Sequence, residues 1–281
     1  CIPGIYVPSL YEVSYHEDGT IKEMKPLEEG IPERILKEMV TEVSDTYYPD
    51  KPVVPFIKVT QDRVVLEIMR GCIRGCRFCQ AGQLYRPVRE RDVEFLKKYS
   101  IAMLENTGHE EISLSSLSSS DYQKLPELID FLIEECSRRK VNISLPSLRI
   151  DAFSLDVMNK VQDVKKSSLT FAPEAGSQRL RNVINKGLTE EVILQGAKLA
   201  FEGGWTRVKL YFMLGIPFET EEDIRGIAEL CNKIAAEFYD TVPKEKRNGR
   251  VQIVASTSFF IPKPFTPFQW APQCRKEDFL N

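Results

Sequence analysis

Val64-Val65-Leu66-Glu67-Ile68-Met69 is a short apolar run, and it leads through Arg70-Gly71 into Cys72-Ile73-Arg74-Gly75-Cys76-Arg77-Phe78-Cys79. A run of that length stopped by a glycine reads as a buried strand. The loop after it carries three cysteines at spacings of four and three. Thiolates so spaced can converge on one metal centre, and soft sulfur ligands favour zinc or an iron–sulfur cluster. Three ligands leave a fourth coordination position open, as a reactive site requires and a closed structural zinc site does not.

Outward from this loop the chain is regular. Strand-like runs recur at 64–69, 111–115, 141–146, 167–172, 206–213 and 250–259, with helical stretches between them. One helix places Leu125, Leu128, Ile129, Leu132, Ile133 and Cys136 on a single face, with Asp121 as a candidate cap. Another places Ile224, Ile227, Ala228, Cys231, Ile234, Ala235 and Phe238 on a face and opens with the capping-box pattern Thr220-Glu221-Glu222-Asp223. Ser154 and Thr189 read as further caps. Repeated strand–helix alternation predicts parallel strands with right-handed crossovers. The expected fold class is α/β, either an open twisted sheet or an incomplete barrel, preceded by an N-terminal extension. Residues 1–60 are punctuated by proline, with a predicted β-hairpin around His16-Glu17-Asp18-Gly19 and a short helix after Pro32. Residues 61–270 form the expected main domain, and 271–281 a tail.

Bulk properties narrow the classes. The 281-residue chain has a formal net charge of −3, which argues against a surface made to coat nucleic acid. No apolar run approaches the ~20 residues that span a bilayer, so no membrane association is expected. Seven cysteines, three of them in one loop, do not resemble a secreted disulfide framework. A reducing, cytoplasmic setting is the expectation. The chain opens on Cys1 rather than methionine and reads as part of a longer protein. Cys1, Cys136, Cys231 and Cys274 stand alone, and the histidines are His16 and His109, so no second knuckle completes a zinc site.

Cys72-x-x-x-Cys76-x-x-Cys79, with Phe78 before the last cysteine, resembles the signature of the radical S-adenosylmethionine (SAM) superfamily. The longer stretch Arg70 to Gly82, with Tyr85-Arg86-Pro87-Val88-Arg89, is similar to uncharacterised members in which cobalamin-binding-like and C-terminal domains flank the radical SAM domain. The resemblance implies a partial (β/α)6 TIM-like barrel. It also implies a [4Fe-4S] cluster held by Cys72, Cys76 and Cys79, whose remaining iron binds SAM. Reductive cleavage of SAM to methionine and a 5′-deoxyadenosyl radical would follow, with a flavodoxin- or ferredoxin-type electron donor. Methylation or methylthiolation of RNA or protein is an analogy drawn from fold. The competing class is a non-catalytic thiol-metal module, holding zinc or iron–sulfur for partner recognition.

The other strand ends supply candidate cofactor contacts, since ligand sites of parallel α/β folds lie there. After the second strand, Ser116 and Ser118 stand where relatives carry Gly-Gly-Glu; the alternative is a serine-rich turn. After the third, Arg149 suits a carboxylate and Ser147 a ribose. After the fourth, Glu174 and Arg179 flank Gly176 in a segment resembling the family's strand-4 motif, and Arg179 competes with Arg149. After the fifth, Gly215 opens a motif resembling the family's adenine-contacting turn, with Phe218 in place of the usual glycine. Lys209 and Tyr211 share a strand face. After the sixth, residues 261–270 make a proline-stiffened aromatic lip. Arg70, Arg74, Arg77, Arg86, Arg89 and Arg91 crowd the cysteine loop, either balanced by nearby acids or presented to RNA or an acidic electron donor. His16-x-x-Gly19 partly matches a cobalamin-ligand motif but lacks its aspartate.

Overall fold

The computed structural model describes residues 2–144, 169–247, 249–275 and 277–279. The chain forms two compact units, Cys1–Val43 and Ser44–Asn281. In the first, β1 (Tyr11–Tyr15) and β2 (Ile21–Pro26) pair antiparallel, as their alternation predicts. The His16 N–H donates to the Thr20 carbonyl, so His16 is an exposed turn residue of this hairpin. The helix expected after Pro32 does not form. Its apolar side chains have nothing to bury them, Leu36 being 67% exposed and Met39 and Val40 exposed as well. A short helix without such packing is marginal in water.

The second unit begins with β3 (Val64–Glu67) and β4 (Met69–Arg70), then the cysteine loop and α1 (Gln80–Leu84). The short strand β5 (Arg89–Glu90) pairs antiparallel with β4 and closes the loop at its base. Then follow α2 (Val93–Thr107), β6 (Glu111–Ser115), α3 (Leu125–Arg139) and β7 (Asn142–Ser144). Beyond residue 168 come β8 (Leu169–Glu174), α4 (Gln178–Val183), α5 (Glu190–Glu202), β9 (Arg207–Leu214), α6 (Glu221–Thr241) and β10 (Gln252–Phe259). The six expected strands are all present, the third described over Asn142–Ser144. They lie in two parallel sheets of order β3-β6-β7 and β10-β9-β8. Among the described residues no strand pairing joins the two sheets. The fold is α/β with the strand–helix order of a partial TIM-like barrel.

Each sheet is apolar on the face that meets its helices. Val64, Leu66, Ile112, Leu114 and Ile143 pack with Leu96, Leu128, Ile129 and Leu132 of α2 and α3. Phe171, Val208, Leu210 and Phe212 pack with Ile193, Ala197, Phe201, Leu230, Ile234 and Phe238 of α5 and α6. The intervening residues, among them Lys209 and Tyr211, therefore point away from the helices. The buried face of α6 departs from the expected one. Asp223, Gly226 and Leu230 are buried, whereas Ile224 is exposed. A close backbone approach at Gly226, described below, sets the rotation of this helix. Among the described residues no helix is long and apolar enough to cross a membrane.

Candidate functional site

The cysteine loop sits at the C-terminal end of β3 and β4 and is held from three directions. Toward β6, Arg74 grips Asp121 through both carboxylate oxygens, its Nε donating at 3.0 Å. Asp121 is thus a loop anchor and not the cap of α3, whose N-cap position is Lys124. Toward β8, the Arg77 N–H donates to the Ile184 carbonyl at 2.9 Å, and its guanidinium to Val183 O at 2.5 Å. The Asn185 amide donates to the Gly75 carbonyl at 2.8 Å. A Cβ at Gly75 would stand 3.0 Å from that same amide nitrogen, so a larger residue there would crowd this hydrogen bond. Toward the lip, Phe268 N–H donates to Arg77 O at 3.3 Å and the Gln80 amide to Pro264 O at 3.3 Å.

None of the three loop cysteines is in a disulfide; Cys76 is buried and Cys72 and Cys79 are half-buried. Cys79 also caps α1, its sulfur accepting from the Gly82 N–H at 3.4 Å. Cys136 is a different kind of cysteine. It packs in the core, where burial pushes its thiol up to about 11, as expected of an inert structural residue. Among the described residues no three His, Cys, Asp or Glu side chains lie close enough to hold a single metal ion. That statement concerns one ion; a four-iron cluster takes its thiolates on separate irons. The donor chemistry fits such a cluster, since the loop offers three soft sulfurs.

Two further features, at the ends of β6 and β8, fit an ordered polar ligand. The Ser118 side chain is buried at 2% exposure, and its hydroxyl has no hydrogen-bond partner. Such a group is costly unless a ligand or an ordered water satisfies it. Ser116, in contrast, is bonded to Ser119 at 2.9 Å. At the end of β8 the ladder register shifts between Phe171 and Glu174, where Pro173 lacks an N–H to donate. Glu174 then adopts a left-handed φ of 68° and forms a largely buried ion pair with Lys186 at 3.0 Å. The Lys186 ammonium lies 6.0 Å from the centre of the Phe78 ring. Phe78 itself packs on Ala175, Leu180, Ile184, Ile216, Phe260 and Phe268, which joins the cysteine loop to three other strand ends.

The remaining expected contacts are placed as follows. Arg179 donates to Phe218 O at 2.7 Å and pairs with Asp223. Gly215, at a φ of 74°, donates its N–H to Glu219 at 2.6 Å. Phe218 takes the left-handed conformation (φ 69°) expected of the glycine it replaces, with its ring 74% exposed. Ser147, Arg149 and Ser154 lie outside the described residues. The arginines crowding the loop are largely used internally. Arg70 and Arg91 pair with Glu67, Arg74 with Asp121, and Arg89 donates to the carbonyls of Pro87 and Tyr85.

Asp223, absent from the sequence-based candidates, organises the junction of β8 and β9. It is 2% exposed and accepts from Ser177, Arg179, and the Thr220 N–H and hydroxyl. Burial pushes its carboxyl up, but hydrogen bonds from Ser177, Arg179 and Thr220 outweigh that and hold it at about 2. A depressed carboxyl contributes stability that is complete above its unfolded value, near 4, and is lost as pH falls through 2. Thermal melts should show a loss of ~2 kcal/mol across that window, and Asp223→Asn should start lower and lack this step. An unchanged acid limb in Asp223→Asn would refute the assignment. The Asn185 contact with Gly75 and the Ser177 and Arg179 contacts of Asp223 join residues 44 or more apart, and the Glu174–Lys186 pair has no periodic spacing, so none of these is legible in sequence; only the first-turn acid pattern after Thr220 pointed to Asp223.

The Radical SAM superfamily family model matches residues 66–231, which is more than half of the chain. The chain belongs to the radical SAM superfamily. An uncharacterised protein of Methanocaldococcus jannaschii is 40% identical over 73% of this chain and 42% of its own length. An uncharacterised methyltransferase of Pyrococcus horikoshii is 22% identical over 84% of this chain and 49% of its own. The chain thus spans less than half the length of these relatives. Among solved structures, the radical SAM methyltransferase TsrM of Kitasatospora setae, with cobalamin and a [4Fe-4S] cluster bound, has the same fold. Its TM-score is 0.55 at 13% identity, over 73% of this chain and 38% of that one.

Proposed function

We propose that this chain is the SAM-cleaving part of a radical enzyme, with Cys72, Cys76 and Cys79 holding a [4Fe-4S] cluster. The observation that carries the reading is the largely buried Glu174–Lys186 ion pair beside the cysteine loop, with the Lys186 ammonium 6.0 Å from the centre of the Phe78 ring. The amino-acid end of SAM carries one positive and one negative group. Glu174 accepts from its amino group or a ribose hydroxyl, Lys186 faces its carboxylate, and Ser118 adds a neutral hydrogen bond. Ser116, Ser147 and Arg149 remain candidates of the same kind. Gly215 borders the adenine, and Arg179 acts through Asp223 to hold the turn around Phe218. Phe78 and the aromatic cluster behind it keep water from the site.

A [4Fe-4S] cluster held by Cys72, Cys76 and Cys79 would supply the electron for reductive cleavage of SAM. A one-electron donor of flavodoxin or ferredoxin type is the partner this demands. Methyl transfer is the outcome this reading favours, in keeping with the description of the Pyrococcus relative as an uncharacterised methyltransferase, and methylation or methylthiolation of RNA or protein is an analogy drawn from fold. Anaerobic reconstitution tests the proposal. The expected result is about four iron and four sulfide per chain, with methionine and 5′-deoxyadenosine formed after dithionite reduction in the presence of SAM. Zinc without iron, and no SAM cleavage, would overturn it in favour of a thiol-metal module.

A further inference from the structure

Charged side chains on the helix-averse faces of the two sheets are nearly all partnered within the protein. Glu67 is bound by Arg70 and Arg91, and Glu111 by Arg63. Arg207 donates to the side-chain oxygen of Gln252 at 2.6 Å. Lys209 is the exception. It stands on the central strand of its sheet, between β8 and β10, and is half-buried. Among the described residues it forms no hydrogen bond or ion pair, and its ammonium rests 4.6 Å from the centre of the Tyr211 ring. A partly desolvated ammonium is normally retained with an anion beside it.

Among the described residues, the strand positions directly beside Lys209 carry no acid. Register places Thr170 of β8 and Val254 of β10 beside it, and Ser256 beside Tyr211. The helix-averse face of β8, β9 and β10 therefore presents Lys209 among hydroxyls and an aromatic ring, its neighbour Arg207 being engaged by Gln252. From this we infer that Lys209 is a binding residue for an oxyanion group, carboxylate or phosphate, on the molecule that this face receives. The inference rests on the proposed function only in identifying that molecule as the substrate. The ammonium is the point charge that pairs with the anion, and the Thr170 and Ser256 hydroxyls are the neutral donors that complete its hydrogen bonding. Tyr211 fixes the direction of the ammonium through a contact that tolerates a bound anion.

The test uses the full chain, reconstituted with iron and sulfide, and two probes in separate arms, inorganic phosphate and glutarate. Binding is read by calorimetry for the unaltered protein, Lys209→Met and Lys209→Arg. The expected result is saturable binding of at least one probe, weakened tenfold or more in Lys209→Met and largely restored in Lys209→Arg. The arm that responds identifies phosphate or carboxylate as the group. Melting of the Met variant should not be lowered, since it removes a cation that has no carboxylate partner; a purely structural lysine would show the reverse. Equal affinity in Lys209→Met, or no saturable binding of either probe, would overturn the inference. Iron and sulfide content of the same samples is scored separately. A loaded protein without Lys209-dependent binding sinks this inference alone, and a protein that binds anions but takes up no iron sinks the cluster assignment alone.

Discussion

Cys72→Ala, Cys76→Ala and Cys79→Ala, made singly, are each expected to abolish SAM cleavage and most of the iron–sulfur absorption after reconstitution. The expected effect is all-or-none because three protein thiolates are the whole donor set that the loop provides. Removing one leaves two, too few to hold the cluster with one iron reserved for SAM. Cys79 allows the structural and chemical roles to be separated. Its sulfur also accepts the Gly82 N–H at the start of α1, a cap that a serine hydroxyl can replace. Cys79→Ser should therefore melt near the unaltered protein yet fail to take up iron. Cys136→Ala is the counterpart: it should lower stability, since Cys136 packs in the core, while iron content stays unchanged. Retention of the iron–sulfur spectrum and of 5′-deoxyadenosine formation in any of the three loop variants would remove that cysteine from the ligand set.

What could be read in advance follows the range over which each signal acts. The apolar faces of the strands alternate with period two, and Val64, Leu66, Ile112 and Leu114 are buried where that pattern puts them. The loop cysteines are close in sequence, so their spacing carries its meaning locally. The Thr220–Asp223 capping box is equally local and is present. The Glu174–Lys186 pair spans twelve residues, Arg74–Asp121 spans 47, and neither pairing has a periodic signature. Arg179 illustrates the limit. Its position beside the strand-4 motif marks it as a candidate ligand contact, and nothing local announces that its guanidinium also pairs with Asp223, 44 residues away. Ile224 shows a second limit. Helical periodicity assigns it to the buried face, yet a glycine contact rotates α6 and leaves it exposed.

That glycine contact predicts the largest loss of stability. Gly176→Ala would place a Cβ 2.5 Å from the Asp223 carbonyl oxygen, 2.6 Å from the Gly226 carbonyl carbon and closer still to the Ile227 nitrogen. All three are backbone atoms of α6, so no side chain can swing aside. Retreat of the loop is also blocked. The fully buried Arg181 donates to the carbonyls of Ala175 and Gly176 at 3.0 Å each, and its Nε to Leu188 O at 3.3 Å. Either α6 moves away from its core or the fully buried Arg181 loses two of its acceptors. Overpacking of this kind costs ~3 kcal/mol or more when the neighbours cannot give. The damage should also reach the cysteine loop, because Ile184 and Asn185, which hold Arg77 and Gly75, follow directly on α4. Gly226→Ala tests the same contact from the other side. Its Cβ would lie 3.1 Å from Gly176, a milder crowding, and alanine in a helix interior gains up to ~1 kcal/mol over glycine. Urea midpoints should therefore fall sharply for Gly176→Ala and little for Gly226→Ala, with iron uptake falling only in the first. If the two variants unfold alike, the rotation of α6 is not set by this contact.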